Sequence, residues 1–275
     1  MNKSHPAKIT FHFPKFSGKS KRAFIEALIT SVPLDPKIGY AGFLYKKYLR
    51  EELAQRYAHA DFLAYQPLSL AQKEEIKKTL LVAEKKSASL LPPLVNHVSV
   101  FIFPWFGPFD DYDKAMGFST GFCPYKNTIL IFLSPGLFVR QSLRGSLAHE
   151  YNHAVFFNHH NVRQTLLEMM VFEGLAENFE EEVVGAIPAP YATALIKKEA
   201  IKVFHSMSSR ILRSKSRNLY KHVFFGDKKY KKWTGYSIGY WIVKSFKKKK
   251  QGSSWQEIMK MEPFEIVETS DFTKK

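Results

Sequence analysis

His149-Glu150-Tyr151-Asn152-His153 decides how the rest of this chain reads. On a helix, residues four apart lie on one face, one turn apart. Two imidazoles placed so can converge on one Zn²⁺ at ~2.0–2.1 Å. Glu150 projects beside them, where it can take a proton from a metal-bound water. Leu147, Ala148, Ala154, Val155 and Phe156 are the packing residues of a buried helix that the pattern extends over 141–158. With 10 His and 18 Glu in the chain, shuffling would produce such a string in roughly 2% of sequences, from the residue frequencies the motif requires. The string alone is therefore not decisive; the residues around it are.

A catalytic zinc site wants a third protein ligand and an open fourth position. Glu173 follows His153 by 20 residues, in Glu173-Gly174-Leu175-Ala176-Glu177. A second helix over 165–184, returning antiparallel after a loop at 158–163, would set Glu173 beside the histidine pair. Glu177 lies one turn further on the same face and could accept the ring N–H of His149 or His153, as outer carboxylates do at zinc sites. The competing reading makes both glutamates part of a solvated helix face like Glu180, Glu181 and Glu182.

Outward from this core the chain reads as α+β, mostly helical with a small mixed sheet. Ile9, Phe11 and Phe13 alternate as a strand, 98–103 and 128–133 are β-branched and aromatic, and 117–121 adds another candidate. The stretches 20–29, 39–60 (with Phe43, Leu44, Tyr48 and Leu49) and 69–90 read as helices. Ser69 and Gln72 have capping-box spacing, and Ser134-Pro135 is expected to open the helix that follows. Tyr191 to Leu212 and Thr234 to Lys248 read as further helices. The division expected is a helical N-terminal region (1–95), a catalytic region (96–260) and a tail (261–275) without clear periodicity. Thr128–Leu133, the last strand before the histidine helix, is a candidate edge for pairing with extended substrate, with 117–124 as the cleft rim; an ordinary core strand is the alternative.

The chain has 275 residues and a net charge of +16, unevenly distributed. Residues 1–140 carry +8, 141–190 carry −5 and 191–275 carry +13. The acidic island is the segment that holds the motif. An excess of this size points to an anionic partner or only to solubility. No apolar run of 18 residues exists to span a membrane, and the N-terminus lacks the apolar stretch of a secretory signal. Cys123 is the single cysteine, which excludes an intrachain disulfide and a thiolate zinc cluster. It reads as a packed thiol, and a cytoplasmic setting is expected.

These residues resemble a known pattern. The histidine string followed some twenty residues later by Glu is that of gluzincins, the thermolysin-like peptidases and zinc aminopeptidases. The closer resemblance is to the bacterial family of predicted zinc-dependent proteases catalogued as domain of unknown function 2268. It rests on His149 to His153, on Glu173 to Glu177, and on Gly235-Tyr236-Ser237-Ile238-Gly239-Tyr240, and covers about residues 95–250. The resemblance implies a zincin-like fold, one Zn²⁺ per chain, and a peptide or protein substrate. It also implies a phenol or imidazole that stabilises the developing oxyanion. Tyr236 and Tyr240 are one turn apart and either could serve; Tyr236 is preferred, and packing among Trp233 and Trp241 is the alternative for both. His205 and His222 are weaker candidates.

Three functions follow. The first is a zinc metallopeptidase with His149, His153 and Glu173 as metal ligands, Glu150 as the base, Glu177 behind the ligands, and Tyr236 or Tyr240 at the oxyanion. The second is a nucleic-acid or anionic-surface binder acting through the basic C-terminal third, with Lys228, Lys229, Lys231, Lys232 and Lys247–Lys250 interleaved with Tyr230 and Trp233; a steep salt dependence would mark it. The third is a metal-binding regulator without turnover.

Overall fold

The structure, a computed structural model, describes residues 8–16, 20–32, 40–60, 62, 65–93, 97–125, 127–160, 165–185 and 188–273. In chain order it runs β1 (Lys8–His12), α1 (Lys21–Ser31), α2 (Tyr40–Arg56), α3 (Leu70–Leu90), β2 (His97–Pro104), α4 (Asp111–Ala115), β3 (Ser119–Tyr125) and β4 (Thr128–Leu133). There follow α5 (Arg140–His159), α6 (Leu166–Val184), α7 (Lys197–Ser206), α8 (Ser209–Leu212), α9 (Arg217–Phe225), α10 (Thr234–Lys249), α11 (Trp255–Ile258) and α12 (Pro263–Thr269). The class is α+β, mostly helical, with one mixed four-stranded sheet in the order β1-β2-β4-β3. β1 and β4 each run parallel to β2, and β3 runs antiparallel to β4.

The sheet is covered on both faces, which is why β2 and β4 read as unbroken apolar runs. Val98, Val100 and Ile102 of β2 and Ile129, Ile131 and Leu133 of β4 join a core with α3, α5 and α6. Phe101, Phe103, Leu130 and Phe132 face the other way, onto Phe24, Leu28, Leu49, Leu53 and Tyr57 of the N-terminal helices and the turn after α2. So the region 1–95 contributes a strand to the sheet, α1 and α2 to one of its faces and α3 to the core on the other.

Several expectations change. Thr128–Leu133 is an interior strand, hydrogen-bonded on both sides, so it cannot receive substrate along its edge. The sheet ends on β3. Ser134-Pro135 does not open the next helix: the chain turns first, and α5 starts at Arg140 after Val139, without a side-chain cap. Tyr191 to Leu212 is not one helix. Residues 191–196 form turns, and α7 and α8 are separated at Met207 and Ser208, where Ser208 caps α8. The segment set apart as a tail carries α12, whose Ile266 and Val267, with Phe272 beyond it, belong to the main core. Phe43, Leu44 and Tyr48 lie outside the described side chains, and 161–164 outside the described residues.

The Ser69 capping box is present, and Thr165 with Glu168 forms another that fixes the start of α6. α6 then packs on α10 through glycines that allow backbone contact. A Cβ added at Gly174 would lie 2.9 Å from Gly239 Cα and closer still to its carbonyl. One added at Gly239 would lie 2.7 Å from the Met170 carbonyl carbon and 3.1 Å from Gly174 N.

Candidate metal centre

Helix α5 buries nearly all of its middle, from Leu147 to Phe156. Tyr151, fully buried, donates to the Leu91 carbonyl at 2.8 Å, and His149 and His153 face α6. Glu173 Oε2 lies 3.4 Å from His149 Nε2 and 3.7 Å from His153 Nε2. Further along α6, Glu177 Oε1 lies 3.0 Å from His149 Nδ1, and Glu180 Oε2 lies 3.5 Å from the same nitrogen. Glu180 also packs on Gly145, one turn before His149. The pairings advance on α6 as they retreat on α5, so the two helices are antiparallel.

The donor set fits a metal ion. Ligand atoms ~2.05 Å from a tetrahedral centre lie about 3.3 Å from one another, close to the spacings seen here. One nitrogen of His149, one of His153 and one oxygen of Glu173 all lie within 4.8 Å of each other. The His149 ring divides two functions between its nitrogens: Nε2 faces Glu173 and His153, and Nδ1 faces Glu177 and Glu180. Both residues of the pair, with Glu150, Glu173 and Glu177, are buried. So many carboxylates away from water need a compensating positive charge.

The protonation pattern follows from this crowding. Burial opposes charge on His149, but hydrogen bonds to Glu173, Glu177 and Glu180 outweigh it and raise its pKa well above the usual imidazole range. Burial dominates at His153 and lowers it to about 4. Burial would raise Glu173, yet its bonds to both histidines bring it down to about 2. Glu177 is pushed up by burial.

Glu150 points the other way, toward the sheet edge. It accepts the backbone N–H of Cys123, and burial pushes its carboxyl up to about 7. It fits there because residue 121 is glycine: a Cβ at that position would sit 2.7 Å from Glu150 Oε1. Cys123 itself is buried and its thiol donates to the Thr128 carbonyl at 3.4 Å, so it is a packed thiol.

Different partners separate the two tyrosine candidates. The Tyr240 hydroxyl donates to Glu181 at 3.0 Å, and Lys244 holds the same carboxylate at 2.6 and 2.8 Å. Tyr236 is bonded to Tyr220, and burial, together with the charges of Tyr220 and Glu173, raises its phenol well above the usual range. Of the weaker candidates, His222 pairs with Asp227 at 3.0 Å on the surface.

Four residues at or near this site escape sequence reasoning. Glu180 reads as solvated yet reaches His149. Tyr191 lies in a turn and hydrogen-bonds Glu177. Tyr112, on the short α4, is close enough to Glu177 and His149 to feel both charges. Arg56, at the end of α2, donates to Thr120 Oγ1 at 2.8 Å. Only tertiary structure brings them here. The Glu177–Glu180 spacing, one helical turn, was the one available hint.

Residues 77–268 match the family described as a predicted Zn-dependent protease, domain of unknown function 2268. The chain belongs to that family. The match begins inside α3 and takes in the whole sheet except β1, along with both helices of the metal centre. No curated protein and no solved structure matches the chain.

Some of the basic side chains of the C-terminal third are paired. Lys247 meets Glu182, and Lys197 and Lys249 flank Asp271 at 2.5 and 2.7 Å. No helix among the described residues is long and apolar enough to cross a membrane.

Proposed function

We propose that the protein is a zinc-dependent metallopeptidase with a zincin-like active site. The observation that carries this is the convergence of His149, His153 and Glu173, with Glu150 on the same helix turned toward the free edge of the sheet. His149, His153 and Glu173 would hold one Zn²⁺ per chain, leaving the fourth position open. The ion, when bound, supplies a Lewis acid that makes water acidic and polarises a carbonyl.

The remaining chemistry belongs to the chain. Glu150 takes the proton of the attacking water and later delivers it to the leaving amine. Burial opposes the ionised form of its carboxyl, the direction that helps a carboxylate carry a proton and release it again. Glu177 accepts from His149 Nδ1 and so presents Nε2 to the ion, and Tyr191 steadies Glu177. Tyr236, whose phenol feels the charge of Glu173, is the preferred phenol for the developing oxyanion, while the Tyr240 hydroxyl is directed to Glu181. Extended substrate would lie along the edge of β3, taking over the role that the interior strand β4 cannot fill.

Glu150→Gln tests the reading. The variant should bind Zn²⁺ as wild type does, measured by metal analysis, and lose hydrolysis of a peptide library by at least about 10²-fold, the scale of general-base catalysis. Undiminished cleavage by this variant would refute the assignment of Glu150.

A further inference from the structure

The N-terminal helices lie outside the stretch matched by the family, yet one of them reaches the sheet edge. Arg56, the last residue of α2, lies over the Phe132 ring with its guanidinium carbon 4.4 Å from the centroid. It donates to Thr120 Oγ1 at 2.8 Å and to Glu52 at 3.2 Å. Thr120 is on β3, the edge strand, next to the glycine against which Glu150 packs. Successive side chains on a strand face opposite ways. Gly121 therefore faces the metal centre, and Thr120 faces the α2 side. The cation sits one residue from the proposed base, on the other face of the same strand.

A guanidinium has five N–H donors. Thr120 and Glu52 take two, and the Nε–H is buried with no partner. The Arg56–Glu52 pair is one helical turn, partly exposed and single-bonded, which makes it weak. The side chain keeps 19% of its surface open, and its charge is felt across the edge by Glu150, Tyr112 and Asp113.

We propose that Arg56 is a specificity-determining residue that makes the cleft select peptides with an aspartate or glutamate beside the scissile segment. The inference rests on the peptidase reading. A peptide strand paired with β3 alternates its side chains between the two faces. A residue out of phase with those facing the metal turns toward Thr120 and Arg56. A carboxylate there gains charge-assisted bonds to a donor-rich, prepositioned cation. Lys232, which caps the Tyr112 and Trp233 rings at 5.5 and 4.5 Å, puts a second cation on the Tyr112 wall.

The test is a peptide library with one position varied among Asp, Glu, Asn and Gln, cleaved by the zinc-loaded full chain. Wild type should favour acid over amide by about tenfold or more in kcat/KM at one position, the scale of a charge-assisted pair. The ratio should fall with added salt. Arg56→Gln should bring it near unity while still cleaving the amide peptides. Arg56→Lys should leave an intermediate ratio. Cleavage with no acidic preference, or a preference unchanged in folded Arg56→Gln, overturns the inference and leaves the peptidase reading standing. If Arg56→Gln does not fold, a wild-type ratio that stays flat with salt overturns it equally. No cleavage of any peptide overturns the peptidase reading, and this inference with it.

Discussion

Gly239→Ala sets two effects of opposite sign against each other. Alanine in a helix interior is favoured over glycine by about 0.8–1.0 kcal/mol, so an exposed position would gain stability. At Gly239 the new methyl would meet backbone of α6, 2.7 Å from the Met170 carbonyl carbon and 3.1 Å from Gly174 N. Carbon atoms rest at about 3.5–4.0 Å, and the Met170 carbonyl oxygen lies nearer still than its carbon, so the helices must part by more than about 1 Å. Backbone cannot turn aside as a flexible side chain can. Overpacking of this kind costs about 1–3 kcal/mol, occasionally more, and here the upper end applies. The net expectation is a loss of about 2 kcal/mol, which lowers Tm by about 4–8 °C for a chain of this size. Gly174 neighbours Glu173, so the displaced α6 should also weaken zinc affinity, read by competition with a chromophoric chelator. Thermal melts and the chelator titration should move together, and Gly174→Ala should reproduce both. A Tm at or above wild type, with unchanged zinc affinity, would refute the argument that backbone contact here positions the ligand helix.

Other variants probe the site and its frame. Glu177→Gln should keep the fold and weaken zinc binding by about 10–100-fold, the usual scale for outer partners of a ligand histidine; unchanged affinity would remove Glu177 from the site. Tyr236→Phe should lower kcat with little change in KM, whereas Tyr240→Phe should mainly cost stability by removing its hydrogen bond to Glu181; the reverse pattern in steady-state kinetics would exchange their roles. Asp271 is held below the usual carboxylate range by hydrogen bonds from Lys197 and Lys249. Its contribution is therefore present above the unfolded pKa of about 3.9 and lost as pH falls through the lower folded value. Partial exposure screens the pair, so Asp271→Asn should cost under about 1 kcal/mol at pH 7, and the difference in urea denaturation should vanish in strong acid.

What the sequence discloses depends on how local the information is. His149 and His153 share a face because four residues make about one turn. The Ser69 box is likewise complete within four residues. Glu173 required one long-range assumption, that the next helix returns antiparallel. β3 and β4 were both visible as strands, but their order was not: which one lies at the edge depends on β2 inserting beside β4 from thirty residues upstream. α12 escaped because a seven-residue helix shows too few turns for a periodicity. Tyr191, Tyr112 and Arg56 escaped because nothing near them in sequence distinguishes them from ordinary aromatic or basic residues.

The pairing of Lys8 with His97 has a consequence in time. Their separation of about 90 residues means β1 leaves the ribosome long before its partner strand exists. α1 and α2 are in the same position, since the face they cover needs β2 and β4. These elements, made before β2 and β4, must therefore wait, exposing Phe24, Leu28 and Leu53, until the sheet is assembled. Synthesis and assembly run in opposite orders here, so Arg56 docks on the sheet edge only after β3 and β4 have formed.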